Sequence, residues 1–252
     1  MKDAIFGVLL AIQFLTRLPV PVACPWNAGT RRWAARAYPL VGALIGALVG
    51  GIGVLLQPLL PTPMLALMLL SLWVALSGGL HLDGLMDLAD ALGSNAPLER
   101  RWAIMKDSQV GSFAILALVF HLAWKAVLLW ALLEAGASPW WLVPVAALGR
   151  LGGVGLLVWV PAARPEGLAH AWQQSLGFKD LVLAALLPLA ALVIMPSMAW
   201  LLIGLAAFII IYGLAMRRAF GGINGDIVGA AIEGGELWLL MIAWSWWSFA
   251  MV

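Results

Sequence analysis

Stretches of about 20 apolar residues, the length a helix needs to cross a hydrocarbon core about 30 Å thick, recur along the chain between short polar clusters. Seven are expected to span, at roughly 38–57, 63–80, 110–133, 139–160, 181–196, 198–216 and 232–250. The fifth and sixth meet at Met195-Pro196-Ser197-Met198, which predicts a tight helical hairpin. Residues 3–16 are apolar but too short to span, and they end at Arg17 ahead of Pro19 and Pro21. They read as an interfacial or re-entrant helix; no small-residue cleavage pattern follows, as a signal peptide would require. The pattern therefore predicts an all-α, polytopic membrane helical bundle of about seven transmembrane helices plus this N-terminal segment. It is read as one integral membrane domain over 1–252, without a repeat or an appended soluble domain.

Composition agrees with the pattern. The chain is 64% apolar and 10% charged, too few charges to cover a water-facing surface. Cys24 is the single cysteine, so no intrachain disulfide framework exists. The fourteen Lys and Arg are dispersed without a basic stripe, which argues against nucleic acid as a partner. Their placement is informative in another way. Arg17, Arg31, Arg32 and Arg36 precede the first span, and every second loop after it is basic: Arg100, Arg101 and Lys106, then Arg164 and Lys179, then Arg217 and Arg218. Lys and Arg in short loops stay on the cytoplasmic side, so these loops are expected there, with the C-terminus outside. A prokaryotic inner membrane fits this reading, with membrane lipid as surroundings.

Candidate chemistry collects in the same loops. His81-Leu82-Asp83-Gly84-Leu85-Met86-Asp87-Leu88-Ala89-Asp90 adjoins the second span. On a helix continuing from that span, Asp83, Asp87 and Asp90 fall within about a 60° arc. Clustered carboxylates repel and are costly to ionise near hydrocarbon, so a cation is the natural partner. Oxygen-only ligands favour a hard ion such as Mg²⁺ or Mn²⁺. The plainer alternative makes Asp83 a helix cap and leaves the other two solvated. A second acidic set follows Gly221-Gly222-Ile223-Asn224-Gly225-Asp226, with Glu233 and Glu236 on the same helical face. Its glycines allow close backbone approach, and the N–H groups of the following helix suit a phosphate. Here too a capped loop with interfacial acids is the alternative.

Arg100, Arg101, Lys106, Asp107 and Ser108 combine phosphate-pairing cations with a carboxylate, although Arg100 is explained by topology alone. Arg150 lies within the fourth span, where a cation is expensive unless paired, and is a candidate partner for phosphate or carboxylate. Lys125, in the third span, could snorkel or form a structural ion pair. Of the histidines, only His81 draws interest, as a proton acceptor or hydrogen-bond donor to substrate; His121 looks isolated in a span and His170 sits in a loop. The fifteen Trp read as interfacial belt and packing.

Together these segments resemble a known family. Phe14-Leu15-Thr16-Arg17-Leu18-Pro19-Val20-Pro21, Tyr38-Pro39-Leu40-Val41-Gly42, the stretch from His81 to Asp90, Ile104-Met105-Lys106-Asp107-Ser108 with Gly111, Ala163-Arg164-Pro165-Glu166-Gly167-Leu168, and Gly225-Asp226 with Gly229, Ala230, Glu233 and Glu236 look like cobalamin synthases, the adenosylcobinamide-GDP ribazoletransferases. The matches run in order over about residues 14–240. The resemblance implies a Mg²⁺-dependent membrane transferase that joins α-ribazole or its 5′-phosphate to adenosylcobinamide-GDP and releases GMP. It implies Asp83, Asp87, Asp90, Asp226 and Glu233 as metal ligands, and a catalytic set that adds His81, Lys106 and Asp107. Substrate contacts are implied at Arg17, Arg101, Ser108, Arg150, Arg164, Asn224, Gly225 and Glu236. A homo-oligomer is possible on this reading. The acidic stripe also resembles that of the CDP-alcohol phosphotransferases, but Met86 and Asp87 stand where that family has an Ala-Arg pair. The alternative from another class is a cation-coupled transporter, whose acids would lie at mid-bilayer in two matching halves.

Overall fold

A computed structural model describes residues 2–191, 193 and 198–250. Those residues form eleven α-helices and one 3₁₀ turn, with no strand among them. The helices are α1 (Lys2–Leu15), α2 (Ala28–Leu56), α3 (Thr62–Ser77), α4 (Leu80–Gly93), α5 (Leu98–Ile104), α6 (Ser112–Glu134), α7 (Leu142–Trp159), α8 (Gly167–Gln173), α9 (Phe178–Ala191), α10 (Met198–Phe220) and α11 (Gly225–Ala250). Five are long and apolar enough to cross a membrane alone, and seven crossings result if each bent pair, α3 with α4 and α8 with α9, counts once. In the first bent pair we take α3 as the crossing, with α4 turned away from it by 91° along the end of the bundle; α8 and α9 meet at 93° and are long enough to cross only as a pair, the described part of α9 ending at Ala191. The expected hairpin at 195–198 lies outside the described residues, apart from the start of α10.

Helix starts differ from the expected span starts because an apolarity criterion sees only the part of a helix inside lipid. α2 begins at an Asn27 cap whose side chain accepts from Thr30 N (2.8 Å), eleven residues before the predicted span at 38. Arg31, Arg32 and Arg36, expected in a loop, therefore ride on its first turns. Arg31 Nε donates to Ser175 Oγ (3.1 Å), Arg32 Nε to Ser175 O (2.6 Å), and Arg36 pairs with Asp180 (2.7 Å). α1, at 14 residues or about 21 Å, is too short to cross. It lies on α2 through Gly7, Leu10, Ala11 and Leu15.

α7 is the central helix, buried on nearly all sides and gripped by α2, α11 and α10. α2 packs closely on α7 along Gly42 and Gly46, and its Gly50 meets Pro139 in the 3₁₀ turn ahead of α7. At one end of the bundle the start of α2 meets α9, Arg17 N bonds Leu76 O at the end of α3 (2.8 Å), and Ile223 N bonds Pro161 O beyond α7 (3.0 Å). All the basic clusters named above gather at this end. At the opposite end Trp247 Nε1 donates to Ala135 O (2.8 Å).

The acidic stripe is not a continuation of the second span, as expected from sequence. Gly78 and Gly79 both take left-handed backbone (φ +67° and +69°), a conformation that only glycine adopts freely, and the chain turns there. The stripe thus belongs to α4, a separate helix laid against α11 and α6.

Candidate active site at the polar end of the bundle

The site is assembled where α4 meets the first turn of α11. Asn224 caps α11, its Oδ1 accepting from Ile227 N (2.9 Å), and its Nδ2 donates to Asp226 Oδ2 (2.8 Å), which aims that carboxylate. Asp226 then sits on Gly84. A Cβ at residue 84 would lie 2.5 Å from Asp226 O, so only glycine lets the two backbones touch. The segment carrying Arg164 is drawn in by a parallel bridge between Ala162 and Ile223, and Gln173 secures its start by bonding Val160 O (2.6 Å) and Ala162 N (2.8 Å).

Asp83, Asp87 and Asp226 lie near enough to feel one another's charge. Burial, then Asp83, Asp226 and Asp90, push the Asp87 carboxyl up to about 6. Carboxylate oxygens of this kind are donors that suit a hard cation such as Mg²⁺. The ligands are not closed into a ready cluster: among the described residues no three acidic, His or Cys side chains already converge at metal-binding distance. Asp90 is differently employed. Its two oxygens accept from Gly111 N (2.6 Å) and Ala114 N (2.8 Å), so it caps α6 and ties that helix to α4.

A cavity of about 420 Å³ opens beside Asp226, lined by Lys106, Arg164, Glu166, Asn224 and Gly225, with Trp102 as one wall. Arg164 lies over the Trp102 ring at 5.4 Å, which holds its guanidinium at the cavity. A second cavity of about 400 Å³ has both Arg17 and Asp83 in its lining. Between them an apolar cavity of about 210 Å³ is walled by Phe14, Tyr38, His81 and Trp172. His81 is buried, and its Nδ1 has no hydrogen-bond partner among the described residues. Of this wall the sequence marks His81 as a candidate and carries Phe14 and Tyr38 in its motifs, whereas Trp172 has no local signal that separates it from the belt and packing tryptophans.

Comparison with known proteins decides the family. The Cobalamin-5-phosphate synthase family model matches residues 7–244. The chain belongs to that family. Among relatives, the adenosylcobinamide-GDP ribazoletransferase of Geobacillus kaustophilus is 36% identical over 97% of both chains. Those of Geobacillus thermodenitrificans and Pseudomonas paraeruginosa are 37% identical over 100% of both chains, and 41% identical over 92% of this chain and 95% of the relative. No solved structure matches the chain. The transporter alternative finds no support among these relatives.

Several residues expected in the site of this cobalamin-5-phosphate synthase homologue lie elsewhere. Glu233 and Glu236 are not interfacial: α11 starts at 225, seven residues before the predicted span, and carries both acids into the bundle core. Glu233 Oε2 accepts from Lys125 Nζ (2.7 Å) and bonds His121 Nε2 (2.9 Å). Glu236 Oε2 accepts from Lys125 (2.6 Å), and its Oε1 pairs with Arg150. The two cations neutralise the two acids, so Glu233 has no charge to spare for a metal, and Arg150 and Glu236 none for a substrate. Glu233 also lies two turns, or about 10 Å, beyond Asp226 along α11. His121 is therefore not isolated, and Lys125 is the structural ion-pair partner. Arg101 donates Nη1 to Ala219 O (3.1 Å) at the end of α10, away from the cavities described. Asp107 and Ser108 are exposed, with Asp107 Oδ1 accepting from Gln109 N (3.0 Å) in a local turn.

Proposed function

We propose that this protein is an adenosylcobinamide-GDP ribazoletransferase working at the cytoplasmic face of a prokaryotic inner membrane, with Mg²⁺ as its cofactor. The observation that carries the reading is the meeting of the α4 carboxylates with Asp226 beside a cavity lined by Lys106 and Arg164. The relatives named above bear the same activity in their names.

In the reaction, a ribose hydroxyl oxygen of α-ribazole or its 5′-phosphate attacks the cobinamide-bearing phosphorus of the diphosphate. A new P–O bond forms, the bond to the GMP oxygen breaks, and GMP leaves with the electron pair. Positioning and neutralisation of charge on the moving group dominate such transfers. Lys106 and Arg164 supply positive charge on the diphosphate side, Arg164 with a fork that matches phosphate oxygens. Asp83, Asp87 and Asp226 would hold Mg²⁺, which when bound neutralises the transferring phosphoryl group. Asp90 keeps α6 against α4. Burial keeps the His81 ring below the ordinary histidine value, so it is uncharged and orients the attacking hydroxyl rather than storing its proton. The hydroxyl proton passes to a carboxylate oxygen of Asp87, whose raised value suits it to hold one.

The test is GMP release from adenosylcobinamide-GDP by the purified protein in detergent, with α-ribazole, with and without Mg²⁺. Corrinoid product that depends on both is expected. A folded protein that yields none would overturn the reading.

A further inference from the structure

The apolar cavity between α1, α2, α4 and α11 has a chemistry the reaction does not yet use. Phe14, Tyr38, Leu168, Trp172 and Ile232 form its walls, and among the described residues no Lys or Arg lines it. The aromatic rings are set edge to face about Trp172, with centroids at 5.8 Å to Phe14 and 5.6 Å to Tyr38, an arrangement that leaves flat surfaces for a further ring. It shares Gly225 and Asp226 with the cationic cavity, so a ligand seated in one reaches the other past Asp226.

We propose that this cavity binds the planar base of the acceptor nucleoside. The assignment rests on the transferase reading and deepens it by separating the two substrates. At about 210 Å³ the cavity is smaller than the roughly 300–1,000 Å³ of sites for drug-sized ligands, so it takes one bicyclic ring and not a corrin macrocycle. The absence of a lining cation excludes the diphosphate. His81 decides how the nucleoside points. It is 5% exposed, its Nδ1 lacks a protein partner, and a buried polar atom left unpaired is costly until a ligand satisfies it. With the base against Trp172 and Tyr38, the attached ribose reaches His81 and Asp226, and its hydroxyl faces the cavity holding the diphosphate. An acyl chain of a lipid would fill the walls but leave Nδ1 unpaired.

The experiment fills the cavity from its rim and from α11. Leu80 lines it, is more than half exposed and does not line the cationic cavity, so Leu80→Trp adds a ring at the rim; Val228 lines the apolar cavity and not the cationic one, and Val228→Phe adds a ring from α11. Initial rates are measured with α-ribazole and adenosylcobinamide-GDP varied separately, alongside equilibrium dialysis of α-ribazole in the absence of donor. The expected result is a KM and dialysis Kd for α-ribazole raised about tenfold or more in both variants, with the KM for the GDP donor within about twofold. A rise in donor KM alone would assign the cavity to the donor and overturn the proposal. Unchanged constants for both substrates, with wild-type turnover normal, would leave the cavity to lipid and also overturn it. A wild-type protein that makes no product would instead sink the transferase reading on which the proposal rests.

Discussion

Asp87 is the residue on which the acidic face turns. Its place beside Asp83 was legible from helical periodicity alone; its neighbour Asp226 was not, because 139 residues of chain separate them and only Gly84 closes the gap. Replacing Asp87 with Asn keeps the shape and removes one charge, so expression should stay near normal while turnover falls about 10²–10³-fold. Wild-type rates in that variant would return the residue to a structural role. The same carboxyl predicts a pH dependence. Its folded value of about 6 lies above the ordinary 3.8, so its contribution to stability is complete below the ordinary value and is lost as pH rises through about 6. Bound Mg²⁺ offsets that loss by favouring the ionised form. Adding Mg²⁺ should therefore raise the Tm of the detergent-solubilised protein at pH 8 and leave it nearly unchanged at pH 5, where protons compete for the same oxygens. Equal shifts at both values would remove Asp87 from the metal site.

At the scale of elements, the long helices could be read from apolar run length, and their true ends could not. The start of α11 was hidden because Glu233 and Glu236 look interfacial until Lys125 and Arg150, contributed by α6 and α7, are placed against them. No local signal shows a partner more than 80 residues away. The turn between α3 and α4 was hidden for another reason: Gly78 and Gly79 are permissive, and tertiary packing selects the left-handed form. Two predictions belong here. Lys125→Met leaves two buried carboxylates with one cation and should destabilise the protein by about 3–5 kcal/mol, seen as a lower Tm in detergent, whereas the paired change with Glu233→Gln should recover part of the loss. Gly84→Ala pushes α4 away from α11 at the point where Asp226 is held. It should cost about 10²-fold in turnover and also lower the Tm, since the methyl clashes with backbone where α4 packs along α11. Full activity in Gly84→Ala would show that the contact of the two helices does not set the site.

The whole molecule is polar along one axis, and this was the most legible property of the chain, because the distribution of Lys and Arg survives any error in helix boundaries. The same axis places every cavity discussed at one end, under loops too short to form a second core. It also sets up a test with a native probe. Cys24, the single cysteine, is partly exposed in the segment between α1 and α2, at the end that carries the acidic face. The opposite end offers Gly136, exposed in the turn after α6. If the basic end faces the cytoplasm, a membrane-impermeant maleimide should label Cys24 in inverted vesicles and not in right-side-out ones. Gly136→Cys in a Cys24→Ser background should label in the reverse pattern; its left-handed backbone (φ +79°) strains that one turn, so Ser138→Cys serves as the second reporter. Labelling of Cys24 from outside would place the acidic face, the diphosphate cavity and the nucleoside cavity in the wrong compartment for an intracellular nucleotide substrate. No adjustment of individual residues could then rescue the proposed reaction.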